Sequence, residues 1–358
     1  MGIIEVRTED DQLCAISSSG RVIFMQEAEK IYLVTGAAGH LGGVLVRKLI
    51  SQKEKVRILV LPGEQNLPKG NVEVCYGDVR KKESLSSFFN GSEEKEVTVI
   101  HCAGIVSIAS KYQQNVYDVN VIGTKNIVDL CMQHHVKKLI YVSSVHAIPE
   151  KPSGETIREV AEFNPRQVVG LYAKTKSVAT AYVLKATQKG LDASVVHPSG
   201  ITGPYDPGKG HITTLVMDYY KRRLLAAVNG GYDFVDVRDV VEGIIACCKK
   251  GKKGACYILS NQYYPVADLL YQLHEITGKK EIKVILPLWF VKWTAPLAEQ
   301  YYKLRKQSPL FTTYSIFTLN TNAVFSHEKA TRELGYQTRD MKQTLADTVH
   351  WLEKEGRL

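Results

Sequence analysis

The sequence predicts an α/β fold, a doubly wound parallel sheet followed by a smaller mixed lobe at the C-terminal end. Three observations carry this. First, a glycine-rich turn, Thr35-Gly36-Ala37-Ala38-Gly39-His40-Leu41-Gly42, follows the apolar run Ile31-Tyr32-Leu33-Val34. It opens a segment with apolar residues at Leu41, Val44, Leu45 and Leu49, which is helical spacing. Second, short apolar runs alternate with helical stretches up to about residue 200. Third, that alternation fails after Pro198, where Gly203-Pro204-Tyr205-Asp206-Pro207-Gly208-Lys209-Gly210 forms a loop dense in helix and strand breakers.

Taken in order, residues 1–30 hold short apolar runs, Ile3-Ile4 and Val22-Ile23-Phe24, around Ser17-Ser18-Ser19-Gly20. A β-hairpin and a flexible extension are both open for this stretch, and no role is assigned to it. Ile31–Val34 is the first strand of the main sheet. Val56–Val60 is the second, ended by Pro62-Gly63. Val72–Cys75 is the third, Val97–Ile100 the fourth, Leu139–Val142 the fifth and Ala193–Val196 the sixth. Apolar strands alternating with helices imply a parallel sheet covered on both faces. Right-handed crossovers then give the doubly wound, Rossmann-type arrangement. The expected organisation is an N-terminal extension over 1–30, a dinucleotide-binding domain over 31–200, and a lobe over 201–358 that partly returns to the sheet. The last helix carries Leu345, Val349 and Leu352 on its inward face.

The glycine turn is suited to a pyrophosphate. Gly36 takes the tight turn, Gly39 lets backbone approach the phosphates, and Gly42 allows helix and strand to pack closely. The N–H groups at the start of the helix then face the negative charge. The glycine spacing is three and three, against the two and three of the common dehydrogenase pattern. A second motif, Tyr172-Ala173-Lys174-Thr175-Lys176, places Tyr172 and Lys176 one helical turn apart on one face. Upstream, the buried run Lys138–Val142 ends in Ser143-Ser144. A hydroxyl at a strand end, a phenol and an ammonium make a proton-transfer set. The Lys176 charge is expected to lower the Tyr172 pKa from about 10 towards working pH. Tyr172 then gives or takes a proton at a carbonyl or alcohol oxygen.

These motifs resemble the extended branch of the short-chain dehydrogenase/reductase superfamily, the NAD-dependent epimerase/dehydratase group. The resemblance runs from Ile31 to the C-terminus and implies that the lobe over 201–358 covers the substrate. Thr35–Gly42 is similar to the family's TGxxGxxG loop, Gly77-Asp78-Val79 to the segment against the adenine, and His101-Cys102-Ala103-Gly104 to the strand end beside the cofactor. Asn120–Thr124 resembles the Asn-bearing helix, and His197–Pro204 the loop near the nicotinamide. Phe234–Val240 resembles a later motif of extended members, and Lys329–Tyr336 the closing motif. The resemblance implies Ser144, Tyr172 and Lys176 as catalytic residues, with Ser144 rather than Ser143 orienting the substrate oxygen, 28 positions before Tyr172. It implies a cofactor site of Gly36, Ala38, Gly39, His40, Leu41, Asp78, Val79, Ala103, Gly104, Pro198, Gly200 and Ile201, with Tyr172 and Lys176. The cofactor is NAD or NADP. Dihydroflavonol-reductase-type relatives carry Arg where Leu61 stands, and 3β-hydroxysteroid-dehydrogenase-type relatives carry Asp where Val60 stands. Val60 and Leu61 carry neither signature, and Arg57, inside the strand, is a poor substitute.

The order of motifs most resembles the 3β-hydroxysteroid dehydrogenase and dihydroflavonol reductase group. The lobe is rich in aromatics: Trp289, Phe290, Trp293, Tyr301, Tyr302, Phe311, Tyr314 and Phe317. The expectation is hydride transfer at a secondary alcohol or ketone of a flat apolar molecule, steroid-like or flavonoid-like. A nucleotide-sugar epimerase or dehydratase with tightly bound NAD is the alternative. A non-catalytic NAD(P)-sensing protein is the second, opposed by the intact Ser144, Tyr172 and Lys176.

Composition bounds the rest. The 358 residues are 44% hydrophobic, enough for a large core. A net charge of +9 suits anionic ligands such as a phosphate-bearing cofactor. Lys and Arg are spread along the chain, and the densest groups, Lys249–Lys253 and Lys221–Arg223, read as solvated surface, so no nucleic-acid partner is expected. The seven Cys are odd in number and lack metal-ligand spacing. They fit a reducing, cytoplasmic setting with no metal. No apolar run reaches membrane-spanning length and no signal peptide is expected. A homodimer is compatible with the chain.

Overall fold

A computed structural model describes residues 29–358 apart from 66, 92–93, 108–111, 209, 225 and 288–320, together with three short strands before residue 29. Those strands, β1 (Ile4–Arg7), β2 (Leu13–Ile16) and β3 (Val22–Phe24), form an antiparallel meander in which Ile4 faces Ile16 and Cys14 faces Phe24. Of the two forms left open for the extension, the strand pairing is the one adopted. The aromatic positions Trp289, Phe290, Trp293, Tyr301, Tyr302, Phe311, Tyr314 and Phe317 lie outside the described residues.

The main sheet begins with β4 (Lys30–Thr35), β5 (Lys55–Val60), β6 (Glu73–Tyr76), β7 (Glu96–His101), β8 (Lys138–Val142) and β9 (Ala193–Pro198). A short β10 (Gly200–Thr202) continues from β9. β11 (Ala227–Val228), β12 (Gly231–Asp236), β13 (Cys256–Leu259), β14 (Gln262–Pro265) and β15 (Ile285–Leu286) follow. Seven strands pair in the order β6-β5-β4-β7-β8-β9-β13, all parallel. Six were expected from the sequence. The seventh is the return to the sheet, supplied by β13. The third strand lies one residue later than its apolar pattern suggests, because it is an exposed edge that needs no strict burial pattern.

Alternate residues of each buried strand feed two cores. Ile31 and Leu33 of β4 pack on one face with Val97, Val99, Leu139 and Tyr141, while Tyr32 and Val34 pack on the other with Ile58, Ile100 and Ile140. Helix α1 (His40–Ser51) covers the second face through Leu45 and Leu49. The short α2 (Ser86–Phe89) and α3 (Gln114–Tyr117) precede α4 (Thr124–Gln133) and α5 (Leu171–Thr187), which cover the first face through Ile127, Val128, Ala179 and Val183. Helix α6 (His211–Tyr220) comes next. Helix α7 (Val237–Lys250) lies beside α1, and α8 (Val266–Thr277) packs against the closing helix Met341–Lys354. The closing helix buries Leu345, Val349 and Leu352, as its spacing predicts.

The smaller part is mixed. β10 runs parallel to β12, and β14 antiparallel to it, in a three-stranded sheet. β11 pairs in parallel with β15. Cys131 and Cys247 are fully buried. Among the described residues, no helix is long and apolar enough to cross a membrane, and no cluster of His, Cys, Asp and Glu could hold a metal.

Candidate active site

The sheet reverses direction of strand order at β4, with β5 on one side and β7 on the other. Open α/β sheets bind ligands at such a crevice, beyond the carboxyl ends of the strands. A cavity of about 920 Å³ lies there. It is lined at the ends of β4, β5, β6, β7, β8 and β9. Every site residue expected from the sequence lines it: Gly36, Ala38, Gly39, His40, Leu41, Asp78, Val79, Ala103, Gly104, Ser144, Tyr172, Lys176, Pro198, Gly200 and Ile201.

The cradle is shaped by glycines with different duties. Gly36 has φ +74°, and a Cβ there would meet the Ala103 backbone nitrogen at 2.7 Å. A Cβ on Gly42 would collide with the Gly36 carbonyl. These two glycines let α1 and the β7 end close on the turn. Gly39 differs: its Cβ would meet only the Gly36 oxygen, at 3.3 Å, and its surface faces the cavity. No acidic residue and no side-chain cap occupies the first turn of α1, so its N–H groups are left for an anion. The His40 ring hydrogen-bonds the Pro204 carbonyl at 2.9 Å, tying the turn to the loop after β10. Burial holds His40 below the usual histidine pKa, so it is neutral at pH 7. The residues present fit a dinucleotide.

Polar contacts stiffen the cradle floor. Thr35 Oγ1 accepts from the Ala103 N–H at 3.1 Å and meets His101 Nδ1 at 2.7 Å. His101 is fully buried and pushed down to about 3, so it acts as a neutral spacer. Asn120 sits in a π-helical turn, Asp118–Gly123, a distortion that recurs at functional sites. It clamps the Ile105 backbone with both ends of its amide, at 2.8 and 3.0 Å. Asn120 also reaches Thr175 Oγ1 on α5 at 3.1 Å, joining the cradle to the helix of Tyr172 and Lys176.

That helix starts at Gly170, whose φ of +94° a side chain would resist. Tyr172 and Lys176 are both buried. Burial pushes the Tyr172 phenol up to about 12, against a hydrogen bond from the Ser144 hydroxyl. Lys176 does not lower it, contrary to the expectation from spacing. Its ammonium donates to the Val142 carbonyl at 2.8 Å and lies 5.1 Å from the Tyr141 ring centroid. Burial pulls Lys176 itself down to about 8. Desolvation outweighs the charge of the neighbour because the pair is enclosed by the sheet. Ser143 and Ser144 part company at the strand end. Ser143 Oγ bonds Thr180 Oγ1 at 2.7 Å on α5, whereas Ser144 reaches Tyr172 and accepts from the His146 N–H at 3.3 Å.

Several lining residues were not foreseen. His146 stacks on Tyr232 (5.6 Å, 14°), hydrogen-bonds its hydroxyl at 3.1 Å, and meets Tyr172 edge-on at 5.9 Å. Burial lowers His146 to about 4, so it is a neutral hydrogen-bonding group. Phe234, Ile212, Leu215 and Val266 make the neighbouring wall apolar. Glu64 and Arg80 also line the cavity, and Arg80 is bonded to Asp78. Arg57, by contrast, is buried and engaged by Glu73 and by the carbonyls of Phe88 and Asn90, away from the cavity. The order of a strand end, a turn and a partner 86 residues away cannot be read from spacing, which is why His146 and Tyr232 escaped notice.

Residues 33–270 match the sequence profile of the 3-beta hydroxysteroid dehydrogenase/isomerase family. The chain belongs to this family. Among curated relatives, this 3β-hydroxysteroid dehydrogenase family member is 31% identical over 332 residues to sterol demethylase protein B of Methylococcus capsulatus, covering 90% of this chain and 98% of that one. It is 28% identical to 3beta-hydroxysteroid-dehydrogenase/decarboxylase isoform 1 of Arabidopsis thaliana, covering 88% and 77% of the two chains. Among solved structures, gox2253 superposes with a TM-score of 0.78 at 28% identity, covering 92% of this chain and 99% of that one. UDP-glucose 4-epimerase of Thermotoga maritima shares the fold, with a TM-score of 0.72 at 22% identity over 91% and 99% of the chains.

Proposed function

We propose that this protein is an NAD(P)-dependent oxidoreductase that moves a hydride between nicotinamide and a secondary alcohol or ketone of an apolar polycyclic, sterol-like molecule. The observation that carries this is the joining of Ser144, Tyr172 and Lys176 in one cavity with the glycine cradle, beside an apolar wall. The names of the relatives support a sterol-like substrate. Among the described residues, Lys176 is the sole cation on the lining apart from Arg80, which is paired with Asp78, so nothing there grips a sugar diphosphate.

A dinucleotide held in the cradle would supply or accept the hydride. The first turn of α1 and Gly39 would hold the pyrophosphate, and Asp78 and Val79 would lie by the adenine. Ser144 holds the substrate oxygen by a hydrogen bond. Tyr172 exchanges a proton with the same oxygen: it donates during ketone reduction and accepts during alcohol oxidation. With its phenol held up near 12 by burial, Tyr172 is protonated at neutral pH, the donor state. Lys176, held by the Val142 carbonyl, would anchor the cofactor ribose. The apolar wall excludes water and stabilises a polycyclic ligand by about 25 cal/mol per Å² buried.

Two serines separate the roles. Ser144→Ala is expected to lower kcat by about 100-fold, the scale on which losing a hydrogen-bond donor to the reacting oxygen costs turnover, with melting temperature unchanged. Ser143→Ala loses its bond to Thr180 and is expected to cost about 1 kcal/mol of stability with turnover retained. Paired kinetics and thermal melts check this, and greater damage to turnover from Ser143→Ala would reverse the assignment.

The proposed function is tested by following NADH and NADPH absorbance with ketosteroids, flavanonols, aromatic aldehydes and UDP-sugars. Net consumption with a polycyclic ketone, at a rate insensitive to salt, is expected. Interconversion of UDP-sugars without net cofactor consumption would overturn it in favour of an epimerase.

A further inference from the structure

The residue at the end of the second sheet strand ordinarily chooses between NAD and NADP, by bonding the adenosine ribose or by meeting its phosphate. Here that strand, β5, ends in Val60, which is buried, and Leu61, whose side chain is 47% exposed. Neither can make that choice. The chain then folds back at once. Pro62 and Gly63 occupy the central positions of a tight turn, Gly63 has φ +85°, and the Glu64 N–H donates to the Leu61 carbonyl at 3.2 Å. Pro second and a positive-φ Gly third is the type II pattern, which brings the first and fourth residues within about 7 Å. Glu64 therefore returns to the level of Leu61, and both line the cavity.

The charges around that end decide what fits. Among the described lining residues they are Glu64, Asp78 and Arg80; Lys176 is at the catalytic end. Among the described lining residues at this end, Arg80 is the one cation that a phosphate could use. Its guanidinium is already turned onto Asp78, with Nε at 2.9 and 3.0 Å from the two oxygens and Nη2 at 2.6 Å, while Nη1 donates to Asn115 at 2.7 Å. Arg80 in turn holds the Asp78 carboxyl below its ordinary pKa, so the pair cancels. Glu64 is left as the uncompensated charge on the lining beside Leu61, the residue that follows the β5 end.

We infer that Glu64, brought back by the Leu61–Glu64 turn, is the specificity-determining residue that makes this protein select NAD over NADP. Its carboxylate accepts from the ribose hydroxyls of NAD and repels the 2′-phosphate of NADP. This rests on the dinucleotide reading of the same cradle. The position usually responsible is apolar here, and the task has moved three residues along the chain but only across a turn in space.

The test is calorimetric binding of NAD⁺, NADH, NADP⁺ and NADPH to the whole protein, with no turnover required. NAD(H) is expected to bind at least ~10-fold tighter than NADP(H), with the gap narrowing as salt rises, since part of it is charge repulsion across water. Glu64→Gln keeps the size and a hydrogen-bonding end while removing the charge. It is expected to tighten NADP(H) by ~5-fold or more and to weaken NAD(H) by less than ~3-fold. Leu61→Arg together with Glu64→Gln is expected to invert the preference. Arg80→Met is expected to shift both cofactors alike. NADP(H) binding as tightly as NAD(H), a gap unmoved by Glu64→Gln, or a loss confined to NADP(H) on Arg80→Met would each overturn the inference. Binding of neither cofactor would overturn the dinucleotide reading itself.

Discussion

Tyr172→Phe is expected to lower kcat at least ~100-fold while leaving the dissociation constant for NAD(P)H within about twofold. General acid–base participation contributes roughly 10² to 10⁴. The change removes one oxygen from a buried ring and keeps the volume, so packing on His146 and the helix start at Gly170 persist. On the proposed reading the phenol belongs to the reacting end of the cavity and Gly39 with α1 to the pyrophosphate end. Loss of turnover without loss of cofactor binding is therefore the specific signature, read by single-turnover absorbance and by fluorescence titration of NADH. A fully active Phe variant would remove Tyr172 from the chemistry. Lys176→Met should behave differently. Its ammonium ties α5 to the β8 end through Val142, so both cofactor affinity and turnover are expected to fall.

Gly39→Val is expected to abolish measurable cofactor binding in a protein that still folds. The geometry makes this a sharp contrast with its neighbours. A Cβ at Gly39 meets only one oxygen at 3.3 Å, which the loop can accommodate by a few tenths of an ångström, and the rest of the valine enters the cavity. A Cβ at Gly42 instead strikes the Gly36 carbonyl, and one at Gly36 strikes the Ala103 backbone at 2.7 Å in a φ of +74°. Gly42→Ala, through its collision with the Gly36 carbonyl, and Gly36→Ala, through collision and its positive φ, are expected to lower the melting temperature, each by several degrees for a cost on the order of 1–3 kcal/mol. Calorimetry and thermal melts on the three variants separate the two duties. Unchanged NAD(P)H binding by folded Gly39→Val would mean that the phosphates do not lie on this turn.

How far the sequence was legible depends on whether a feature is local. The strand Lys30–Thr35 and its turn are written in consecutive residues, an apolar run and three glycines, and the structure places them as read. Tyr172 and Lys176 are one turn apart on a helix, so their shared face follows from helical geometry alone. The edge strand Glu73–Tyr76 slipped by one residue because its exposure relaxes the burial pattern. The seventh strand, Cys256–Leu259, is four residues long, and only pairing with Ala193–Pro198 distinguishes it from a loop. The electrostatics of Lys176 and Tyr172 went the other way from spacing because desolvation depends on what encloses the pair. Glu64 was invisible for a similar reason: its nearness to Leu61 depends on the closed turn. His146 and Tyr232 meet only through the packing of β12 on the loop after β8.

The switch point in the strand order also has a temporal meaning. The cradle needs β4 and β7 side by side, and the bond that seals their ends, Thr35 to His101, spans 66 residues of chain. The intervening stretch must first supply β5 and β6 and the crossovers between them. Contacts of such long range form late, because loop closure has to be met before they stabilise anything. An early collapsed chain with α1 already wound would own the glycine turn yet lack the β7 end that packs against it. On the proposed reading, dinucleotide binding is thus a marker of the joined β4–β7 pair rather than of the first strand and helix alone. In refolding experiments, recovery of NADH fluorescence should trail the recovery of helical circular dichroism, and added cofactor should slow unfolding without hastening the early phase of folding.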